Sequence, residues 1–244
     1  MRVTLLGTSG GIPIPERAQA GVLVESENLN ILLDCGMGVP LRLAEAGVKA
    51  ESIDIVCLTH GHLDHIQDLP SLTKASWLDV GEADYTIITP PGLEKKLLDF
   101  FKSLDEYDRT DLSFEELKPG DSFREAMEIQ AVKTDHTPFS QGYHISEGNK
   151  KLIYTGDTAP CKDIMDKAEG AELLIHELSL LEKSEVHTDP QSLISMVEET
   201  EVNELVLTHF YPQVAERIDH LTEEIERESG INTTEGVDLL EYDI

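Results

Sequence analysis

Six consecutive residues, His60-Gly61-His62-Leu63-Asp64-His65, carry three imidazoles and a carboxylate. Imidazole nitrogen and carboxylate oxygen are good ligands for divalent transition metals. Burying such groups without partners is expensive, and a metal site satisfies all four together. The pattern H-x-H-x-D-H also divides its ligands between two different ions. Asp34, His136, Asp157 and His209 each follow an apolar, strand-like segment or sit in the turn after one. Strand ends along one edge of a sandwich can converge on a single pocket, so these residues predict a binuclear metal centre.

The elements that must position them are short. Residues 2–6, 21–25 and 30–33 read as strands, the last running into Asp34. Residues 40–46 read as a helix stopped by Gly47. Residues 53–58 are apolar throughout, as expected of a strand covered on both faces. A helix is predicted over 66–78, a strand over 85–89 closed by Pro90-Pro91-Gly92, and an amphipathic helix over 93–101. In the second half, strands over 127–132, 142–146 and 151–155 precede Gly156-Asp157-Thr158. A helix over 161–168, a strand over 173–176 and a helix over 189–199 follow, with Pro190 suited to the first turn of the last. Residues 205–208 form a strand reaching His209, a further helix lies within 211–229, and residues 236–242 close the chain. Two β-rich halves with helices outside them imply an α/β class protein, a four-layer αββα sandwich forming one domain over residues 1–244.

Composition narrows the setting. A chain of 244 residues with 40% hydrophobic content can bury a substantial core. No apolar run is long enough to span a membrane, and residues 1–7 lack the apolar core and cleavage site of a signal peptide. Cys35, Cys57 and Cys161 are widely spaced, which fits free thiols in a reducing compartment. The cytoplasm is the expected location. There are 48 acidic and 19 basic residues, a net charge of -29. That surface suits solubility or a high-salt host and opposes tight electrostatic binding of nucleic acid.

The chain resembles the metallo-β-lactamase superfamily, and within it the ribonuclease Z group of phosphodiesterases. Gly7-Thr8-Ser9-Gly10-Gly11-Ile12-Pro13 is similar to that group's opening turn. Leu33-Asp34-Cys35-Gly36 resembles the first superfamily motif and Thr59 to His65 the second. His136 stands for the third, Tyr154-Thr155-Gly156-Asp157-Thr158 for the fourth and Leu207-Thr208-His209-Phe210 for the fifth. The resemblance implies that His60, His62 and His136 hold one ion and Asp64, His65 and His209 the other. Asp157 would bridge them together with a hydroxide. Two zinc ions suit this donor set best, with manganese or iron as alternatives. Asp34 would orient ligands from behind. Ile175-His176-Glu177-Leu178-Ser179 and His187-Thr188-Asp189 resemble two further motifs of the group. They imply that His187 gives a proton to the leaving group and that Glu177 orients it, so that Asp64, His187 and Glu177 form the catalytic set. Arg17 would meet a substrate phosphate. His144, His176 and His220 are expected to be non-ligands.

Ribonuclease Z clamps tRNA with a basic arm between the third and fourth motifs. Here His136 and Asp157 leave room only for a strand, a turn and a strand. After the fifth motif comes Phe210-Tyr211-Pro212-Gln213, without the arginine often found in tRNA processors. Together with the acidity, these departures favour a small phosphodiester over RNA. A tRNA 3′-processing endonuclease and a lactone, thioester or aryl sulfate hydrolase remain the alternatives. A homodimer is implied by resemblance only. Phe100, Phe101, Tyr107 and Phe114 could line a pocket or a dimer face, with core packing the plainer role.

Overall fold

Alternation along each strand decides which layer a side chain enters. Val3 and Leu5 of the first strand point one way and join one core cluster, whereas Leu6 joins another. The computed structural model describes residues 1–81, 83–104 and 112–244, and Tyr107 lies outside them. The first half supplies strands β1 (Arg2–Gly7), β2 (Gly21–Glu25), β3 (Asn30–Leu33), β4 (Ile55–Cys57), β5 (Thr86–Thr89) and β6 (Ser113–Glu116). Helices α1 (Val39–Glu45), α2 (Leu63–Ile66), α3 (Leu69–Val80) and α4 (Leu93–Lys102) lie between them. The second half supplies β7 (Ser122–Arg124), β8 (Glu128–Lys133), β9 (Gln141–Glu147), β10 (Lys150–Tyr154), β11 (Leu173–Glu177), β12 (Glu204–Thr208), β13 (Asn232–Glu235) and β14 (Glu241–Asp243). Its helices are α5 (Lys162–Ala168), α6 (Pro190–Val197), α7 (Pro212–Ala215) and α8 (Ile218–Ser229).

The strands form two seven-stranded sheets, ordered β14-β1-β2-β3-β4-β5-β6 and β13-β12-β11-β10-β9-β8-β7. Val3, Val22, Ile31, Ile55 and Ile88 of the first sheet pack against Ile129, Tyr143, Ile145, Leu152 and Ile175 of the second. The outer face of the first sheet is covered by α1, α3 and α4 through Val39, Leu43, Leu72, Leu97 and Phe101. The outer face of the second is covered by α5, α6 and α8 through Ile164, Leu193, Val197, Leu221 and Ile225. This is the expected αββα sandwich. Strands β3 to β6 run parallel, as do β10 to β13, and ligands in such sheets gather beyond the carboxyl ends of the strands.

The structure differs from the sequence reading in detail. The helix predicted over 66–78 is α3, which starts only at Leu69 with Pro70 in its first turn, and a separate short helix, α2, lies within the ligand run before it. The helix within 211–229 is divided into α7 and α8. Strands β6, β7 and β13 were not expected. They are largely polar, and pairing with a neighbour, not an apolar pattern, makes them strands. Phe101 is core and Phe114 packs on its edge, while Phe100 is partly exposed. Among the described residues no helix is long and apolar enough to cross a membrane.

Candidate metal centre

The ligand-rich run begins three residues beyond the end of β4 and ends in α2. Its backbone is held close to the neighbouring loop. Cys35 N donates to His65 O at 2.7 Å, and a Cβ on Gly36 would lie 2.1 Å from Asp64 O. Gly36 is therefore bare because the run passes over it. Asp34 follows β3, His136 follows β8, Asp157 follows β10 and His209 follows β12.

Two groups of side chains converge. His60, His62, His136 and Asp157 present nitrogen and oxygen atoms within 4.8 Å of one another, and so do Asp64, His65 and His209. The Asp157 carboxylate lies between them. Its Oδ1 is 3.2 Å from His65 Nε2 and 3.1 Å from His209 Nε2. Its Oδ2 is 3.8 Å from His60 Nε2 and 3.7 Å from His136 Nε2. Asp64 Oδ2 reaches His209 Nε2 at 3.3 Å.

Three of the imidazoles have a partner on the side away from Asp157. His65 Nδ1 donates to Asp34 Oδ2 at 2.7 Å. His209 Nδ1 meets Ser179 Oγ at 2.9 Å, and His136 Nδ1 donates to Val186 O at 2.8 Å. His65 Nε2 and His209 Nε2 face each other at 3.2 Å beside the Asp157 carboxylate. Asp157 Oδ1 is buried and accepts no hydrogen bond. Imidazole nitrogens gathered around a buried carboxylate could hold a cation between them.

The electrostatics agree. Burial opposes charge on Asp157, yet His209 and His65 hold its carboxyl well below the usual range. Burial also opposes charge on His65, but Asp157 and Asp34 override it and raise the imidazole well above its ordinary value. Burial, aided by the neighbouring imidazoles, pushes His60 well down and His62 down, so both stay neutral, as ligands must. The donor set of imidazole and carboxylate fits a transition metal.

Asp34 lies behind the cluster, against the far side of His65. Its buried carboxylate accepts from Thr59 N at 2.8 Å and Tyr154 OH at 2.9 Å as well as from His65. It therefore fixes the ring of His65 and the start of the ligand run.

Beside the cluster, Glu177 at the end of β11 is fully buried. Its Oε1 accepts from His187 Nδ1 at 2.8 Å and Thr158 N at 2.9 Å. Its Oε2 accepts from the Ser179 hydroxyl. The His187 ring lies 5.0 Å from that of His136 and 6.0 Å from that of His209. Burial works against its charge, but the hydrogen bond to Glu177 raises its proton affinity above the ordinary value. His187 can thus carry a proton next to the cluster.

The structure brings together His60, His62, Asp64, His65, His136, Asp157 and His209, with Asp34, Glu177 and His187 around them. Arg17 requires correction. Its Nη1 donates to Thr8 Oγ1 and Gly236 O, both at 2.6 Å, and its Nη2 pairs with Glu235. The guanidinium also lies 5.0 Å over the Phe210 ring. With three of its five N–H donors engaged within the fold, Arg17 ties the N-terminal loop to the C-terminal segment, and this geometry lends no support to a phosphate contact. His176 is buried in β11 outside the cluster, and Cys35 is core with its thiol pushed well up by burial.

Three residues escaped the sequence reading. Ser179 links Glu177 to His209. Tyr211 sits with its ring 5.9 Å from His187 and 6.1 Å from His209, and its position two residues after His209 was the available signal. Lys96 borders a cavity shared with His60 and His62, and nothing in α4 as a sequence marks it.

The geometry now meets the comparisons. A family model described as a β-lactamase superfamily domain matches residues 29–210. Ribonuclease Z of Mycobacterium bovis strain BCG is 32% identical, covering 88% of this chain and 87% of that protein. The crystal structure of the human short form of tRNase Z matches with a TM-score of 0.80 and 25% identity, over 100% of this chain and 99% of that one. The metallo-β-lactamase fold protein YhfI from Bacillus subtilis matches in fold, with a TM-score of 0.83 and 24% identity over 99% and 98%. The chain belongs to the metallo-β-lactamase superfamily, within its ribonuclease Z-like branch of metal-dependent hydrolases.

Proposed function

We propose that this protein is a binuclear phosphodiesterase that acts on a small diester. The observation that carries the reading is the Asp157 carboxylate, set between two ligand groups with the Glu177–His187 pair beside it. Two zinc ions, or manganese or iron, held by His60, His62 and His136 and by Asp64, His65 and His209 with Asp157 between, would activate a water and neutralise the phosphoryl oxygens. The rest falls to the chain's own residues. Asp34 and Ser179 hold His65 and His209 by their far-side nitrogens and so would present the near-side nitrogens to an ion. Glu177 holds His187 by Nδ1, so that its Nε2 proton can pass to the departing oxygen. A poor leaving group needs that proton, which supports a phosphodiester over a lactone, thioester or aryl sulfate.

The similarity to ribonuclease Z of M. bovis favours a second reading, cleavage of precursor tRNA at its 3′ end. Two observations support the smaller substrate. Residues between His136 and Asp157 form only β9, a turn and β10, with no protruding arm. The net charge of -29 repels a polyanion.

The test is a paired assay of the zinc- or manganese-loaded protein on bis(p-nitrophenyl) phosphate and precursor tRNA, at low and high salt. Turnover of the small diester alone, abolished by Asp157→Ala, is the expected result. Cleavage of the tRNA at its 3′ end would establish the second reading. Inactivity on both would move the function to another ester.

A further inference from the structure

Phe139 is an anomaly beside the metal centre. It lies three residues after His136 and is 52% exposed, an unusual position for a phenyl ring. Its turn is nonetheless pinned. Thr134 Oγ1 donates to Ser140 Oγ at 2.9 Å, Thr137 N donates to the same oxygen at 3.1 Å, and Gln141 N donates to Thr59 O at 3.0 Å. The ring is held outward on a firm support.

Phe139 forms a wall common to two cavities. One, of about 250 Å³, reaches His60 and His62 and is bounded by Leu93 and Lys96 of α4. The other, of about 650 Å³, contains His136. Gly61 keeps the first open, since a Cβ there would come within 2.9 Å of Leu93 Cδ1. Lys96 Nζ lies 5.6 Å from the centre of the Phe139 ring and enters no ion pair among the described residues. Lys133, the cation of the larger cavity, is already paired with Asp135 at 3.0 Å. An ammonium with no ion pair among the described residues, next to an exposed ring, suits a ligand that combines negative charge with a flat apolar face.

We propose that Phe139 and Lys96 form a substrate subsite that selects diesters bearing a planar ring, above all nucleoside phosphates. The base stacks on Phe139, and Lys96 counters the phosphate charge next to the His60, His62 and His136 ligands. This rests on the phosphodiesterase reading and specifies its substrate class.

The test follows the fluorescence of 2-aminopurine riboside 5′-monophosphate, which stacking quenches, titrated with the zinc-loaded protein. Wild type should quench the probe. Phe139→Ala should remove the quench and weaken binding on the order of tenfold, and Phe139→Trp should restore both. Ribose 5-phosphate, which lacks the base, should ignore Phe139→Ala but bind less tightly to Lys96→Gln. An unchanged denaturation midpoint confirms that each variant is folded. Absence of quenching by wild type, or equal affinity in wild type and either variant, would overturn the subsite. Lost binding in the variants of a protein that cleaves no diester would leave the subsite standing and remove the phosphodiesterase reading. Diester cleavage with unaltered binding in the variants would do the reverse.

Discussion

Asp34 adopts a φ of 60°, a left-handed conformation that aspartate tolerates better than most residues. That backbone turns its carboxylate under His65, Thr59 and Tyr154 together. Asp34→Ala should lower metal affinity about 10–100-fold, because His65 loses the partner that fixes its tautomer and ring. Chelator competition measures this, and an unaltered affinity would contradict the role. In the proposed mechanism Glu177 has a different part, holding His187 as the proton carrier. Glu177→Gln should reduce kcat on the order of 10²–10⁴-fold for an alkyl diester, with little change in KM. The loss should be much smaller for a p-nitrophenyl diester, whose leaving group needs no proton. Equal losses on both substrates would mean that Glu177 acts on the metal side alone.

Elements place these residues through their ends. Asp34, His60, Asp157, Glu177 and His209 all lie at or just beyond the carboxyl ends of parallel strands. The apolar runs that make those strands were legible because their side chains are buried on both faces. The polar strands β6, β7 and β13 were not, since their partners lie elsewhere in the chain. The ligand run also depends on a close crossing of loops at Gly36. Gly36→Ala would drive its Cβ into Asp64 O, which it approaches to 2.1 Å. We expect destabilisation of about 1–3 kcal/mol and a parallel loss of bound metal, read by urea denaturation and metal analysis. Stability and metal content both equal to wild type would show that the loop moves freely.

For the whole molecule, charge and protonation set the working range. His144 in β9 is half-buried, and its Nε2 has no partner. Burial, with Lys151 and Lys167 nearby, lowers its pKa from 6.5 to about 4. The unfolded chain therefore takes up this proton as the pH falls below 6.5, while the folded chain refuses it until about 4. Stability should fall with acidification across that window. His144→Gln should flatten this acid limb, measured as the denaturation midpoint against pH, and an identical slope in the variant would refute the assignment. The surplus of acidic residues, 48 against 19 basic, acts at the same scale by keeping polyanions away, while Lys96 offers a local exception beside the metal centre.

The amino-acid sequence alone determined the layered α/β class and the ligand inventory. Both rest on local patterns: apolar alternation, and a density of histidine and aspartate with few other uses. Tertiary structure alone decided how those ligands divide around Asp157, because the division depends on strand ends far apart in sequence meeting at one edge. It also decided that Arg17 is occupied by Glu235, Gly236 and Thr8, a set of partners mostly more than 200 residues away. The roles of Ser179 and of Phe139 with Lys96 were hidden for the same reason. A hydroxyl, a ring or an ammonium acquires a function only from what the fold places against it.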